Sequence, residues 1–298
     1  MIDSPPEPAP GQGVARRVAL KPGLYFVATP IGAVRDITLK SLDILLSADV
    51  IAAEDTRTVR KLMVLHGIPL GKRPLVTYHD HNGPAQRPRI LTALADGKSV
   101  AYVSEAGTPL IADPGFPLGR AALEAGNEVF AAPGPSASLV ALTVSGLPSD
   151  RFYFAGFPPS RKGALTRWAE GLRRVDATLI IYESPKRIHQ LLDVLTDALG
   201  AGRQVALCRE LTKRFEEVLR GSLAEVTETI AERRLKGETV LVIDRGQPTE
   251  TDAQEMEYAL REMLKTRHVK EAVDQVAARS GLPKRVVYQS ALALGRKE

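Results

Sequence analysis

The stretch Val103-Ser104-Glu105-Ala106-Gly107-Thr108-Pro109-Leu110-Ile111-Ala112-Asp113-Pro114-Gly115 is the most informative part of this sequence. It follows Lys98-Ser99-Val100-Ala101-Tyr102, a short apolar run typical of a buried strand. Loops after the strands of an open α/β sheet are where ligands usually bind. Glycines there let the backbone come close to a ligand, and prolines fix its path. A tight turn needs only about four residues, so we expect a ligand-binding loop rather than a surface turn.

The composition is that of an ordinary globular protein. The chain has 298 residues, of which 44% are hydrophobic and 25% charged, and this length predicts two domains or two with a small appendage. A net charge of +5 permits a polyanionic partner. The single cysteine, Cys208, excludes intrachain disulfides and a Cys-rich zinc site. No apolar run is long enough for a membrane span and no signal peptide is recognisable, so we expect a cytoplasmic protein without a membrane partner.

The first half of the chain alternates between apolar runs and helical patterns. This alternation predicts an N-terminal α/β domain over residues 22–132, with a mainly parallel sheet covered by helices on both faces. Residues 1–21 contain four prolines before residue 11 and little apolar content. We therefore predict a disordered tail for them.

A second α/β domain is predicted over residues 133–246. The strand pattern at residues 215–220 has no helix before it, so an antiparallel hairpin and a mixed sheet are expected. Residues 253–298 then show three short helical patterns, with Gly281-Leu282-Pro283 between the last two, which is the spacing of a helix-turn-helix. From Lys265 to Lys297 there are eight Lys or Arg residues against two acids. Such a tail is typical of nucleic-acid binding, and a plain three-helix cap or a dimerisation piece is the alternative.

Polar side chains follow each predicted strand of the first domain, and the ends of parallel strands share one edge of a sheet. These groups are therefore expected to line one cleft. His79 and His81 flank Asp80 and have the spacing of weak metal ligands, but a polar loop at a strand end explains them equally well. No metal site is predicted. The groups are Thr29-Pro30-Ile31-Gly32, Glu54-Asp55-Thr56-Arg57, His79-Asp80-His81-Asn82 and the loop of residues 104–115.

The loop of residues 104–115 resembles the signature of the bacterial ribosomal RNA small-subunit methyltransferase I family, in the tetrapyrrole methylase superfamily. Glu105 departs from the pattern, in which aspartate is more usual, but it keeps the carboxylate. The resemblance covers roughly Gly23 to Asp244, and the C-terminal helices are also similar to those of the family. Further matching motifs are Thr29-Pro30-Ile31-Gly32, Glu54-Asp55-Thr56-Arg57, Pro133-Gly134-Pro135-Ser136-Ala137, Gly146-Leu147-Pro148, Tyr182-Glu183-Ser184-Pro185 and Arg209-Glu210-Leu211-Thr212-Lys213.

This resemblance implies a fold of two α/β domains with S-adenosylmethionine bound between them, followed by a small helix-turn-helix domain. It also implies a homodimer that acts on the small ribosomal subunit. The expected reaction is methyl transfer to the 2′-hydroxyl of a cytidine in the decoding region of 16S rRNA.

A ribose hydroxyl is a weak nucleophile, so a base or a nearby cation is expected to assist it. The candidates for this role are Glu54, Asp55, His79, Glu105 and Lys213. The alternative role of Asp55 is to cap a helix or to pair with Arg57. The alternative role of Glu105 and Asp113 is to stabilise their own loop. The expected cofactor contacts are Pro30, Ser104, Ala106, Gly107, Thr108, Pro109, Ile111, Pro133, Ser136 and Tyr182. The expected RNA-backbone contacts are Arg35, Arg57, Lys61 and Lys162.

Two other functions remain open at this point. One keeps the fold and changes the substrate to a tetrapyrrole ring, which would not need a basic helix-turn-helix. The other is a regulator that senses a small ligand and reads DNA bases with its C-terminal helices.

Overall fold

The computed structural model describes residues 14–245, 250–280 and 284–295. The chain divides into two compact units. Unit one is the chain up to Val140 together with Glu210–Glu216, and unit two is Ala141–Arg209 together with Glu217–Glu298. The short segment Glu210–Glu216 thus belongs to unit one, although unit-two sequence flanks it on both sides.

Unit one contains a five-stranded sheet in the order β3-β2-β4-β1-β5, and every strand pair in it is parallel. This confirms the predicted parallel sheet. The strands are β1 (Gly23–Val27), β2 (Val50–Ala53), β3 (Leu75–Thr77), β4 (Ser99–Val103) and β5 (Val129–Ala132). The helices are α1 (Leu39–Ser47), α2 (Thr56–Leu65), α3 (Gly83–Ala95), α4 (Phe116–Glu124) and α5 (Ala137–Ser145), with a 3-10 helix at Val34–Asp36; the unit boundary falls within α5.

Successive residues of β1 contribute to two different hydrophobic cores. Tyr25 and Val27 pack in a core with the apolar side chains of α1 and α2. Leu24 and Phe26 pack in a second core with those of α3 and α4. Because neighbouring side chains of a strand point to opposite faces, the sheet is covered by helices on both sides, as predicted.

The predicted disordered tail is wrong for its described part. The backbone N–H of Arg16 donates to the Asp43 carboxylate at 2.6 Å, and that of Val18 donates to Ser47 Oγ at 2.9 Å. Ala15 and Leu20 pack on the core beside α1. These contacts order the segment despite its polar composition, and residues 1–13 lie outside the described part.

Unit two contains a second five-stranded sheet, in the order β6-β7-β10-β8-β9. β6 and β7 are parallel, while the other three strand pairs are antiparallel, which confirms the predicted mixed sheet and the hairpin of β8 and β9. The strands are β6 (Phe152–Gly156), β7 (Thr178–Glu183), β8 (Gln204–Arg209), β9 (Glu217–Ser222) and β10 (Thr239–Ile243). The helices on this sheet are α6 (Lys162–Leu172), α7 (Ile188–Leu199) and α8 (Leu223–Ile230).

α8 begins with a capping box. Ser222 and Glu225 exchange hydrogen bonds between side chain and backbone at the start of the helix. α8 ends at Ile230, and Arg233 lies just beyond the helix. Its guanidinium binds the Glu217 carboxylate at 2.8 Å, and its backbone carbonyl contacts His189 Nε2.

The C-terminal part of unit two consists of α9 (Glu250–Leu264), α10 (Val269–Ser280) and α11 (Lys284–Gly295). Their apolar faces form a core of their own, which includes Leu260, Val276 and Val287. α9 begins three residues before the predicted helical region. The predicted turn at Gly281-Leu282-Pro283 lies outside the described residues. None of the helices in the described ranges has the length and apolar character of a membrane span.

Candidate functional site

The carboxyl ends of four parallel strands meet at one edge of the unit-one sheet. Val27 of β1 pairs with Val103 of β4, and Ala53 of β2 pairs with both Val103 and Thr77 of β3. The strand ends are therefore level with one another. The four polar groups predicted from the sequence follow these residues, so the structure brings them to one edge as expected.

The loop after β4 is hydrogen-bonded to the loops after β1 and β5. Thr29 and Gly107 exchange two backbone hydrogen bonds of 3.0 and 3.1 Å. The Ser104 hydroxyl donates to the Gly107 carbonyl at 2.6 Å, and the Thr108 hydroxyl donates to the Pro135 carbonyl at 2.8 Å. Gly107 has a φ of +81°, and a Cβ there would lie 3.3 Å from Ile31 Cγ2. Ser104, Gly107 and Thr108 thus fix the backbone of the loop.

The same loop contains strained backbone. Leu110 and Ala112 have φ values of 73° and 54°, in the left-handed region that costs a side-chain-bearing residue about 1–2 kcal/mol. Leu110 and Ile111 each remain 39% exposed. Strain of this kind persists where the surroundings impose it, and it concentrates at ligand clamps. The sequence contained no signal for these two conformations, since neither residue is glycine or asparagine.

The other predicted cofactor contacts of unit one lie around this loop. The Pro133 carbonyl accepts a hydrogen bond from Thr38 Oγ1 at 3.2 Å. Ser136 is buried at the start of α5, where its carbonyl accepts the first helical hydrogen bond from Val140 and its hydroxyl contacts Ser138. Pro30 is half-buried beside Thr29, Ala106 is exposed, and Pro109 is buried.

Carboxylates are concentrated at this edge. Burial raises the pKa of Glu54, and the nearby charges of Glu105 and Asp80 raise it further. Burial raises the pKa of Asp113 to about 7, with Glu54 adding to the effect. The Tyr102 hydroxyl donates to the Asp113 carboxylate at 3.3 Å and also to the Pro114 carbonyl. The edge therefore carries a negative potential that favours a cationic ligand group.

Asp113 is expected to make the stability of the protein depend on pH. Its folded-state pKa of about 7 lies above the ordinary value of about 3.9 for aspartate, so the native state holds this proton more tightly. The free energy of unfolding should fall as pH rises from about 4 to about 7. Asp113→Asn should remove this contribution and be more stable than the wild type at pH 8 by about 1–2 kcal/mol, a value discounted for solvent screening.

Urea unfolding of both proteins at pH 4 and pH 8 measures the difference. A gap between the two proteins that does not widen with pH would contradict the raised pKa of Asp113.

Asp55 is the N-cap of α2 and not a free carboxylate. It accepts from the Arg57 backbone N–H at 2.8 Å and from the Arg57 guanidinium, also at 2.8 Å. The Arg57 hydrogen bonds hold the pKa of Asp55 at about 2. A carboxylate of such low pKa is a weak proton acceptor at neutral pH. The geometry therefore favours the alternative role that the sequence left open.

Asp55→Ala should lower the stability of the protein and shift its denaturation midpoint to a lower denaturant concentration, because α2 would lose its cap. Asp55→Ser should retain most of the stability, since a serine hydroxyl accepts the same backbone hydrogen bond. Chemical denaturation of the two variants tests the cap, and equal losses from both would argue against it.

Lys213 lies in unit one because its segment packs on the loop after β1. The Ala33 N–H donates to Thr212 Oγ1 at 3.0 Å, and Lys213 Nζ pairs with the Glu210 carboxylate at 2.9 Å. A Cβ on Gly32 would lie 2.5 Å from Lys213 Cγ and 2.9 Å from the Leu211 carbonyl oxygen. Only glycine leaves room for this contact, which joins two motifs that are about 180 residues apart in the sequence.

The remaining predicted residues are more dispersed. His79 follows β3, where its Nδ1 accepts from the Asn82 N–H at 3.3 Å, and its ring lies 5.9 Å from that of His81. Arg35 and Lys61 are exposed on the 3-10 helix and on α2. Tyr182 and Lys162 belong to unit two, on β7 and at the start of α6. No group of three metal-ligating side chains occurs within the described ranges.

Several cations of the C-terminal helices form ion pairs with nearby acids. Lys265 pairs with Glu262, Arg267 with Glu271, and Lys284 with Asp274. Lys270 and Arg285 are exposed without an ion pair inside the described ranges. On α11, the expected reading helix of a helix-turn-helix, the exposed residues include Tyr288 and Leu292. Lys284, Arg285 and Gln289 are exposed on the same helix, and side chains of these types can contact base edges or phosphates.

Comparison with known proteins identifies two families along the chain. Residues 23–227 match the Tetrapyrrole (Corrin/Porphyrin) Methylases, and residues 250–295 match the RsmI C-terminal HTH domain. The uroporphyrin-III-C-methyltransferase structure from Thermus thermophilus aligns with a TM-score of 0.54 and 21% identity, covering 74% of this chain and 94% of that one. This likeness agrees with the fold of the two sheets, and the two family matches confirm the predicted class of two α/β domains with a C-terminal helix-turn-helix domain.

The curated relatives cover nearly the whole chain. Ribosomal RNA small subunit methyltransferase I of Mesorhizobium japonicum is 41% identical over 276 residues, which are 92% of this chain and 93% of that protein. The protein of the same name from Halalkalibacterium halodurans is 40% identical over 273 residues, 89% of this chain and 93% of that protein. The chain therefore belongs to the ribosomal RNA small subunit methyltransferase I family of the tetrapyrrole methylases.

Proposed function

We propose that this protein transfers the methyl group of S-adenosylmethionine to the 2′-hydroxyl of a cytidine in the decoding region of small-subunit rRNA. The observation that carries the proposal is the identity of about 40% to proteins named ribosomal RNA small subunit methyltransferase I. That identity extends over about nine-tenths of the chain and includes the C-terminal helices. We further propose that the enzyme is a cytoplasmic homodimer whose substrate is the small ribosomal subunit.

The residues at the unit-one edge fit S-adenosylmethionine. Its sulfonium and ammonium groups are cationic, and the half-buried Glu54 carboxylate with its acidic neighbours provides matching charge. Leu110 and Ile111 offer partly exposed apolar surface on a loop whose backbone is already fixed. Gly107 leaves no side chain between this loop and Ile31. We assign the cofactor contacts to the loop Ala106 to Ile111, with Pro30, Ser104, Pro133 and Ser136.

When bound at this edge, the cofactor would supply a methyl group carried on a positively charged sulfur. The chain must hold the ribose oxygen in line with that methyl group and accept the hydroxyl proton. Glu54 suits the proton transfer better than Asp55, because burial raises its pKa toward neutrality. Lys213 would stabilise negative charge that develops on the ribose oxygen. Glu105 and His79 lie at the same edge and remain further candidates for the base.

The RNA backbone must be held away from the carboxylates, since phosphates and carboxylates repel each other. Arg57 suits this role because its side chain is 89% exposed although it binds Asp55. Arg35 and Lys61 are exposed cations of the same unit. We assign these three residues and Lys162 to the phosphates, where each cation adds salt-dependent affinity.

Acceptor competition tests the proposed substrate. Small ribosomal subunits from cells that lack this protein should take up one labelled methyl group each from S-adenosylmethionine, and a uroporphyrinogen acceptor should take up none. Methyl transfer to the tetrapyrrole alone would refute the proposal.

Removing residues 250–298 should weaken RNA binding more than cofactor binding. These helices form a separate core, while the proposed cofactor residues of unit one lie elsewhere in the chain. Filter binding of rRNA and calorimetry with S-adenosylmethionine measure the two affinities. Equal losses in both would mean that the C-terminal helices are a structural part of the methyltransferase body.

A further inference from the structure

The loop between β6 and α6 in unit two combines an exposed aromatic ring with a group of cations. Phe157 is 60% exposed, although phenylalanine is usually buried. Arg161 and Lys162 follow at the start of α6, and both are exposed. Arg167 Nη1 lies beside the same helical turn, 3.8 Å from the position of a Cβ on Gly163. None of these three cations pairs with a carboxylate anywhere in the described ranges.

The Phe157 ring packs on a neighbouring tyrosine ring and is otherwise largely exposed. It packs edge-to-face on Tyr182 with ring centroids 5.7 Å apart, and Tyr182 packs in the same way on Phe154 at 4.9 Å. The partner ring orients Phe157 while more than half of the side chain stays in contact with solvent. A flat base can therefore stack on it without displacing a packed neighbour.

The backbone of this loop is held in place by the ion pair of Glu183 and Arg187. The Glu183 carboxylate is 3% exposed, accepts from the Ser184 N–H at 2.7 Å, and lies 3.2 Å from Arg187 Nη2. The same guanidinium donates to the carbonyls of Pro158 and Pro159 at 3.3 and 2.8 Å. Two consecutive prolines further restrict the chain. The ring and the cations are thus preorganised, which reduces the entropy lost on binding.

We propose that this loop, Phe157 to Lys162, is a single-stranded RNA contact, with one base stacked on Phe157 and neighbouring phosphates held by Arg161, Lys162 and Arg167. Stacked aromatics beside cations are the arrangement by which proteins bind single-stranded nucleic acid. The charge of the loop identifies RNA as the binding partner. Within the described part of the chain, the loop contains cations without ion pairs and no acidic residue, so it attracts phosphates and repels basic partners. The inference rests on the proposed function and deepens it by naming where the substrate strand lies on unit two.

The test uses the full chain and a fluorescein-labelled 12-nucleotide single-stranded RNA with a central cytidine, measured by fluorescence anisotropy. Phe157→Ala should weaken binding about tenfold, since a stacked base contributes about 1–3 kcal/mol. Phe157→Trp should retain the affinity. Phe152→Ala is the matched control. Phe152 is 45% exposed at the start of β6, about 13 Å from the end of the strand that Phe157 follows. This variant should bind like the wild type.

The cations have an independent readout in the salt dependence of binding. Replacing both Arg161 and Lys162 by alanine should reduce the slope of log affinity against log salt concentration by about 1.4. S-adenosylmethionine affinity and melting temperature should not change in any of these variants.

Wild-type RNA affinity in Phe157→Ala would overturn the inference while leaving the proposed methyl transfer intact. If Phe157→Ala keeps its RNA affinity but loses self-association in sedimentation, the loop is a contact between copies of the chain, and the inference is also overturned. A wild-type protein that neither binds nor methylates RNA would instead refute the proposed function itself.

Discussion

Gly32→Ala is expected to reduce methyl transfer about a hundredfold. The new Cβ would lie within 2.9 Å of the Leu211 carbonyl oxygen and 2.5 Å of Lys213 Cγ. A lysine side chain can move aside, but the backbone carbonyl must shift, and the hydrogen bond from Ala33 to Thr212 would be strained. Lys213 would then leave its position at the edge, and displacements near 1 Å can cost about a hundredfold in rate.

Single-turnover kinetics of Gly32→Ala measure this effect, and Gly202→Ala is the control. Nothing lies within 4 Å of the position that a Cβ would take at Gly202, and its φ is not left-handed, so this variant should react like the wild type. In a Lys213→Ala background, Gly32→Ala should add little, because both changes act on one residue. Fully additive losses would show that Gly32 acts through something other than Lys213.

Gly107→Ala is expected to weaken S-adenosylmethionine binding by ten- to a hundredfold. Alanine at a φ of +81° costs about 1–2 kcal/mol, and its Cβ would press on Ile31 Cγ2 at 3.3 Å. The backbone pairing with Thr29 that fixes the loop would be weakened as well. Calorimetric titration with the cofactor measures the change in affinity.

The control for this variant is Gly97→Ala. Gly97 has a similar φ of +74°, but nothing lies within 4 Å of a Cβ there. It should lose stability and keep its cofactor affinity. Loss of cofactor affinity in both variants would indicate a general effect of backbone strain and not a role for the Gly107 loop.

The sequence was sufficient to predict the parallel sheet of unit one and the edge of that sheet at which the polar groups meet. Alternating apolar runs and helical patterns predicted parallel strands, and parallel strands place their ends together. Ser104 to Gly115 stood out because its glycines and prolines have strong local preferences. Local preferences did not reveal that Leu110 and Ala112 are left-handed, since neither residue is glycine or asparagine.

Contacts between distant segments account for the other differences. The position of Lys213 depends on Gly32 and Thr212, which a linear pattern cannot connect. The residues near Arg16 and Val18 have the polar composition of a disordered tail. They are ordered by hydrogen bonds to α1, nearly 30 residues later, which the local sequence does not reveal. In the described part of the C-terminal helices, several cations pair with acids such as Glu262 and Asp274, and a linear count of charges does not show which cations are paired.

Nucleoside mapping tests the central claim most directly. Small subunits from cells lacking the protein are incubated with the enzyme and S-adenosylmethionine, and their rRNA is digested to nucleosides for mass spectrometry. We expect one additional 2′-O-methylcytidine per subunit, absent from the untreated subunits and lost again with Gly107→Ala at low cofactor concentration. A methyl group on a base, or no methyl group on the RNA, would contradict it.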